Sequence, residues 1–240
     1  VSYLILSDIH GNLEALEAVM ADAQGRYDRI VCLGDLVGYG ADPNAAVAWA
    51  RDNVRVIVRG NHDKVCVGLE PFETYNAAAQ ASAQWTQAEL KPIHREYLER
   101  LPRGPLPYEG LDLVHGSPAD EDEYLLTTYQ LPAIVPLLES QVTFFGHTHV
   151  QGGFLLAPQG SRLIPPDIAL RVEPHYFYLI NPGSVGQPRD RDPRAAYALY
   201  SPQERTVEFR RIAYDVDRAA AKIRAAGLPE FLAARLYEGA

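Results

Sequence analysis

The chain has 240 residues, 47% hydrophobic and 22% charged, the composition of a globular protein long enough to bury a full core. Its formal net charge is −9, from 22 Lys and Arg against 31 Asp and Glu, which argues against a surface that tracks nucleic acid as a polyanion. No apolar run approaches the roughly 20 residues that span a bilayer, and no basic leader with an apolar stretch opens the sequence, so neither a membrane segment nor secretion is indicated. The two cysteines, Cys32 and Cys66, form no CxxC motif and read as reduced thiols in or near buried strands, which points to the cytoplasm.

In chain order, SYLILSD predicts a first strand ending at Asp8. Apolar residues then recur at Leu13, Leu16, Val19, Met20 and Ala23, the spacing of a helix with Asn12 as N-cap and Gly25 as stop. RIVCLGD repeats the strand, ending at Asp35, and Asp42-Pro43 opens a helix that runs to about Asp52. VRVIVRGNHD predicts a third strand ending in the polar residues 61–63. This β-α-β-α-β start suits a doubly wound sheet. NAAAQASAQWTQAEL predicts a helix, a second short helix follows near Arg95–Arg100, and the Pro-rich LPRGPLPYEG turns into the strand LDLVHGSP. Helical signal returns between about Gln130 and Glu139, and Val142–Phe145 reads as a short buried strand closed by Gly146. Beyond Gly152 come the strands GGFLLA, YFYLIN, AAYALY and TVEFRRIAY, then helices near 215–226 and 229–237. No fixed-period repeat, low-complexity segment or long linker interrupts the chain, so it predicts one α/β domain over residues 1–240 built on two sheets.

Polar groups crowd the C-terminal ends of these strands: Asp8 and His10, Asp35, Asn61 with His62 and Asp63, His115, and the pair His147 and His149. In open α/β sheets that edge is where ligands bind. Five of the seven histidines fall there, and only His94 and His175 lie elsewhere. Singly, Asp8, Asp35 and Asn61 could be turn or helix caps. Converging with four imidazoles, they read as metal ligands. Two carboxylates, one amide and four imidazoles, with one carboxylate shared, give four protein ligands to each of two metals. Oxygen and nitrogen donors without thiolate suit Mn²⁺, Fe, Zn²⁺, Co²⁺ or Ni²⁺. Two such ions ~3.5–4 Å apart clamp a phosphoryl group and activate a water.

DIH (8–10), GD (34–35), GNHD (60–63), VHGSP (114–118) and GHTH (146–149), in this order, resemble the calcineurin-like metallophosphoesterase superfamily over residues 3 to about 190. The resemblance implies a four-layer α/β/β/α sandwich of two mixed sheets flanked by helices. It implies that Asp8, His10, Asp35 and His149 hold one divalent transition metal and that Asp35, Asn61, His115 and His147 hold the other, with manganese favoured. His62 would be the catalytic histidine outside the ligand set, oriented by Asp63. It would neutralise charge on the phosphoryl oxygens and protonate the departing alkoxide. No motif position is substituted. GDLVGYG (34–40) and NPGSVGQPRD (181–190) are most similar to the small bacterial stand-alone branch.

The activity expected is therefore hydrolysis of a small or nucleotide-like phosphoester, most readily a phosphodiester. A phosphomonoesterase, a protein phosphatase or a diadenosine polyphosphate hydrolase is the alternative, and a catalytically silent scaffold is the alternative outside enzymes. The acidic balance disfavours a nuclease. Around the site, ADEDEY (119–124) reads as a solvated acidic loop that repels long polyanions. Arg189 is a candidate phosphate contact, whereas Arg191 and Arg194 read as a salt-bridged surface loop. His94 reads as a surface residue, His175 as packing or capping, and Trp85 as core.

Overall fold

Leu4 and Leu6 of the first strand turn one way and Tyr3 and Ile5 the other, and all four are buried. Such a strand lies inside a sheet covered on both faces. In a computed structural model, which describes residues 1–166 and 169–240, Leu4 and Leu6 pack under helices and Tyr3 and Ile5 pack against a second sheet.

The N-terminal half alternates β1 (Tyr3–Leu6), α1 (Leu13–Ala23), β2 (Arg29–Cys32), α2 (Pro43–Asn53) and β3 (Val56–Ile57), followed by helices α3 (Asn61–Val67), α4 (Ala77–Glu89) and α5 (Pro92–Glu99). β4 (Leu106–Tyr108), β5 (Leu111–Leu113), α6 (Leu131–Ile134) and β6 (Val142–Phe144) come next, then β7 (Gly152–Ala157), β8 (Gly160–Ile164), β9 (Leu170–Arg171) and β10 (Phe177–Asn181). β11 (Ala195–Ser201), β12 (Thr206–Ile212), α7 (Val216–Ala225) and α8 (Glu230–Glu238) end the chain. One six-stranded sheet has the order β3-β2-β1-β11-β12-β9 and the other β4-β5-β6-β10-β7-β8. Both are mixed: β1 runs parallel to β2 and antiparallel to β11, and β10 runs parallel to β6 and antiparallel to β7. Side chains such as Val31, Leu33, Phe144 and Ile180 fill the space between the sheets. Helices α1, α2, α3 and α5 cover the outside of the first sheet, and Leu131 and Ile134 of α6 cover Phe154, Leu156 and Leu179 of the second. This is the four-layer sandwich.

The structure departs from the sequence reading in three respects. The third strand stops at Ile57, and residues 61–63 open α3 instead of closing a strand. Gly60 takes the extended N-cap geometry there, and Asp63 at the third helical position accepts its N–H at 2.9 Å. The helix expected over Gln130–Glu139 shrinks to four residues between two 3₁₀ turns, because Pro132 and Pro136 remove backbone donors. Strands β4, β8 and β9 carry no clean alternation and are edge or near-edge pieces fixed by their partners.

Candidate metal centre

Asp8 follows β1, Asp35 follows β2, His115 follows β5, and His147 with His149 follows β6, so two adjacent strand ends of each sheet deliver side chains to one point. Ligand-type atoms of Asp8, His10, Asp35 and His149 lie within 4.8 Å of one another, as do those of Asp35, His115 and His147. Asp35 belongs to both groups. Asn61, from the first turn of α3, joins the second, its Oδ1 3.1 Å from Nε2 of His115. All seven side chains are buried.

The turns that carry them are tight. Asp8, His10, Asp35, His147 and His149 all take the left-handed region, with φ of 54°, 49°, 54°, 65° and 59°. Each such residue stores about 1–3 kcal/mol of strain, tolerated because surrounding contacts over-determine it. The His10 N–H donates to the Asp35 carbonyl at 2.9 Å and the Asp8 N–H to the Gly34 carbonyl at 3.0 Å, stitching two loops together. From behind, Ser184 Oγ donates to the Asp8 carbonyl at 2.8 Å and Asn181 Nδ2 to the Gly146 carbonyl at 2.9 Å. The NPGSVG stretch is thus a buttress under two of the metal-site loops.

Backbone carbonyls orient the rings. Nδ1 of His10 faces the Val37 carbonyl at 2.9 Å, that of His115 faces Leu33 at 2.7 Å, and that of His149 faces Gln187 at 2.5 Å. A proton on each Nδ1 leaves Nε2 as a lone pair toward the centre, the usual outer support of a metal-bound histidine. His147 is reversed: Nε2 meets the Asp122 carbonyl at 3.0 Å, which frees Nδ1. Inside the cluster, Nε2 of His10 and Nε2 of His149 are 3.1 Å apart, two lone pairs facing each other. Oδ1 of Asp8 and Oδ2 of Asp35 are buried without a hydrogen-bond partner among the described residues. Oδ2 of Asp35 lies 3.6 Å from His10 Nε2 and 3.3 Å from His115 Nε2, between the two groups. Facing lone pairs and orphaned carboxylate oxygens need cations between them.

The geometry agrees with wider similarity. A model of the calcineurin-like phosphoesterase superfamily domain matches residues 2–205. The chain belongs to the calcineurin-like phosphoesterase superfamily. It is 35% identical over 241 residues to the uncharacterized protein MJ0912 of Methanocaldococcus jannaschii, covering 98% of this chain and 97% of that protein. The crystal structure of a metallophosphoesterase from Sphaerobacter thermophilus superposes with a TM-score of 0.88 at 38% identity, over 100% of this chain and 99% of that one. A hypothetical protein of Pyrococcus horikoshii shares the fold, with a TM-score of 0.80 at 22% identity over 100% and 98% of the two chains. The protein is therefore a metal-dependent phosphoesterase, a hydrolase of a superfamily that works with two metal ions, and its buried donor set fits such a pair.

Charge in this phosphoesterase site is distributed unevenly. Burial raises the Asp35 carboxyl, but the His115 and His62 imidazoles more than reverse that and hold it well below the usual carboxylate range. Burial lowers His115, yet Asp35 and Asp8 push it up to about 10, a sign of how strongly the two carboxylates demand positive charge. Burial takes His147 down to about 3 and His62 to about 4, so both enter as neutral imidazoles near pH 7.

His62 packs edge-on to His10, 5.0 Å between centroids, and 4.3 Å from the Tyr39 ring. The expectation that Asp63 orients it needs correction. Asp63 accepts the N–H groups of Asp35 at 2.8 Å, Leu36 at 2.9 Å and Gly60 at 2.9 Å, so both oxygens are engaged by backbone. Nδ1 of His62 is buried without a partner among the described residues and lies against Gly38, where a Cβ would come to 2.6 Å from it. Gly38 also has φ +87°, so the GDLVGYG stretch makes room for His62.

Other expectations shift too. ADEDEY is no free acidic loop: Glu121 is buried against Arg59 at 2.7 Å, Asp122 holds Lys64 at 2.6 Å, and the Tyr124 ring stacks on His147 at 3.8 Å. Much of its charge is balanced internally, which weakens repulsion as a reason to exclude polyanions. His94 is buried, with Nδ1 2.9 Å from Asn44 Oδ1, whereas His175 is exposed in the turn before β10. Arg194 pairs with Asp192, as expected. Arg189 bears on Asp8, His149 and His62 and has no carboxylate partner among the described residues; its Nη2 reaches Gln187 Oε1 at 3.1 Å and Tyr39 Oη at 3.4 Å. Sequence reading missed Tyr75, whose hydroxyl accepts from Asn61 Nδ2 at 3.1 Å and so turns Oδ1 toward His115. Nothing local in the sequence marks it.

Proposed function

We propose that the protein is a phosphodiesterase acting on small, nucleotide-like diesters, with Asp8, His10, Asp35 and His149 holding one ion and Asp35, Asn61, His115 and His147 the other. The observation that carries the ligand sets is the central Asp35 Oδ2, buried, without a hydrogen-bond partner among the described residues, and between imidazoles of both groups. Two divalent cations held there would polarise the phosphoryl oxygens and lower the pKa of a water enough to make it a nucleophile. Manganese suits a nitrogen and oxygen donor set from which both thiols are excluded, Cys32 and Cys66 being buried outside it.

The residues around the centre supply the rest. His62, neutral and lining the open cleft beside the cluster, donates a hydrogen bond to a non-bridging phosphoryl oxygen. Asp63 acts on the backbone that carries Asp35 and on the start of α3, not on the His62 ring. Arg189 places one guanidinium charge beside the reacting phosphate. The imidazoles of His149 and His62 both feel Arg189, and its guanidinium would pair with the single negative charge of a diester. The net charge of −9 supports a small substrate over nucleic acid, and two reduced, buried thiols support a cytoplasmic setting. Among the described residues no helix is long and apolar enough to cross a membrane.

The test compares bis(4-nitrophenyl) phosphate with 4-nitrophenyl phosphate after loading with Mn²⁺. The diester should be turned over with a kcat/KM at least about tenfold higher, a difference of about 1.4 kcal/mol in transition-state stabilisation. Faster monoester turnover would make the protein a phosphomonoesterase.

A further inference from the structure

Beside the metal cluster opens a cleft of 390 Å³, within the roughly 300–1,000 Å³ of small-ligand pockets. Its walls carry three tyrosines, Tyr39, Tyr75 and Tyr124, and two carboxylates, Glu70 and Asp122, and among the described residues no lysine or arginine lines it. Tyr124 stacks on His147 and still leaves 45% of its surface exposed, an open aromatic face directly above the site. Lys64, the cation behind the carboxylates, is 3% exposed and is engaged by Glu70 and Asp122 at 2.6 Å each. A second pocket that touches Tyr39 encloses only 10 Å³, room for one water and not for a phosphate.

From this lining we infer that the substrate limb beyond the reacting phosphate is a flat, uncharged polar group of the nucleoside kind, selected by stacking on Tyr124 and Tyr75, and that it carries no further phosphate. The inference rests on the phosphodiesterase reading for which phosphate reacts, and it adds what the cleft accepts. Aromatic faces welcome any nucleobase, because every base has a π-face. Glu70 and Asp122 set two carboxylates against the single ammonium of Lys64, and the guanidinium that reaches the cleft's Tyr39 edge, Arg189, is the one assigned to the reacting phosphate, so a second phosphate meets a surplus of like charge. A polyphosphate chain therefore finds no partner past the metal centre.

The experiment is calorimetric titration of the Mn²⁺-loaded full chain, at constant free Mn²⁺, with adenosine monophosphate, methyl phosphate and adenosine triphosphate. Adenosine monophosphate should bind at least about tenfold tighter than methyl phosphate, and the triphosphate should gain nothing over the monophosphate. Tyr124→Phe should keep the preference over methyl phosphate, and Tyr124→Leu should cut it to threefold or less. Equal binding of adenosine monophosphate and methyl phosphate, or triphosphate binding tenfold tighter than monophosphate, overturns the inference. Binding in the expected order without hydrolysis of any diester leaves this inference standing and sinks the phosphodiesterase reading instead.

Discussion

The Tyr75 hydroxyl bonds both ends of Asn61, accepting from its Nδ2 at 3.1 Å and donating to its backbone carbonyl at 3.3 Å. An amide side chain can flip by 180°, and this contact keeps nitrogen outward and oxygen toward His115. Tyr75→Phe should weaken one of two bound metals by about 10–100-fold, as loss of an outer support does, while leaving the other in place. Metal titration followed by calorimetry reads this. Unchanged binding of both ions would show that Asn61 needs no such hold.

Asp35 is the group common to both halves of the cluster. Asp35→Asn should weaken two ions together, whereas His10→Ala should mainly empty one. Elemental analysis after Mn²⁺ reconstitution should give close to two ions per wild-type chain. A plateau at one ion with full activity would dismiss the shared-carboxylate arrangement.

Asp63 joins three backbone N–H groups across two loops, so its replacement should act on stability and metal binding before chemistry. Asp63→Asn turns an amide group toward donors and leaves at least one N–H unpaired, at about 1–3 kcal/mol. The unfolding midpoint should fall, and metal affinity with it. A variant of wild-type stability that is slow only on poor leaving groups would restore Asp63 as the partner of His62.

Among the described residues no carboxylate bonds the His62 ring, so stabilisation of phosphoryl charge should outweigh proton donation. His62→Gln should then lose about 10²–10³-fold to a similar degree on an alkyl diester and a nitrophenyl diester, with both metals retained. Gly38→Ala, which forces a methyl group against Nδ1, should reproduce part of that loss. Selective loss on the alkyl ester, whose leaving oxygen needs a proton, would assign acid catalysis instead.

Arg189 has its Nε buried without a partner among the described residues. Arg189→Met should lower kcat/KM by about 10²-fold at unchanged metal content, and Arg189→Lys should recover part of it through charge alone. Wild-type kinetics in the methionine variant would leave Arg189 as a prop for Tyr39 and Gln187.

The sequence by itself determined the parts that depend on local chemistry and on order along the chain. Strand-then-polar blocks at Asp8, Asp35, His115 and His147–His149 each ended an apolar run; that pattern pointed to a two-sheet α/β domain and to candidate donors, and the family resemblance implied the four-layer sandwich. Asn12, Gly25 and Pro43 marked helix ends because capping and φ restraint act within a few residues. What only the tertiary structure decided involves partners far apart in the chain. Asp63 looked like a neighbour of His62 and proved to be a clamp on the Asp35 loop 28 residues away, because the first turn of α3 aims its side chain back at the strand end. Tyr75 and Ser184 entered the site through contacts with Asn61 and Asp8, 14 and 176 residues distant. The acidic run at 119–124 read as solvated until Arg59 and Lys64 met it, since charge alone does not say which cation folds against it. Left-handed turns at five of the seven proposed ligands were equally invisible: a residue enters that region only when surrounding contacts hold it there, and those contacts come from other strands.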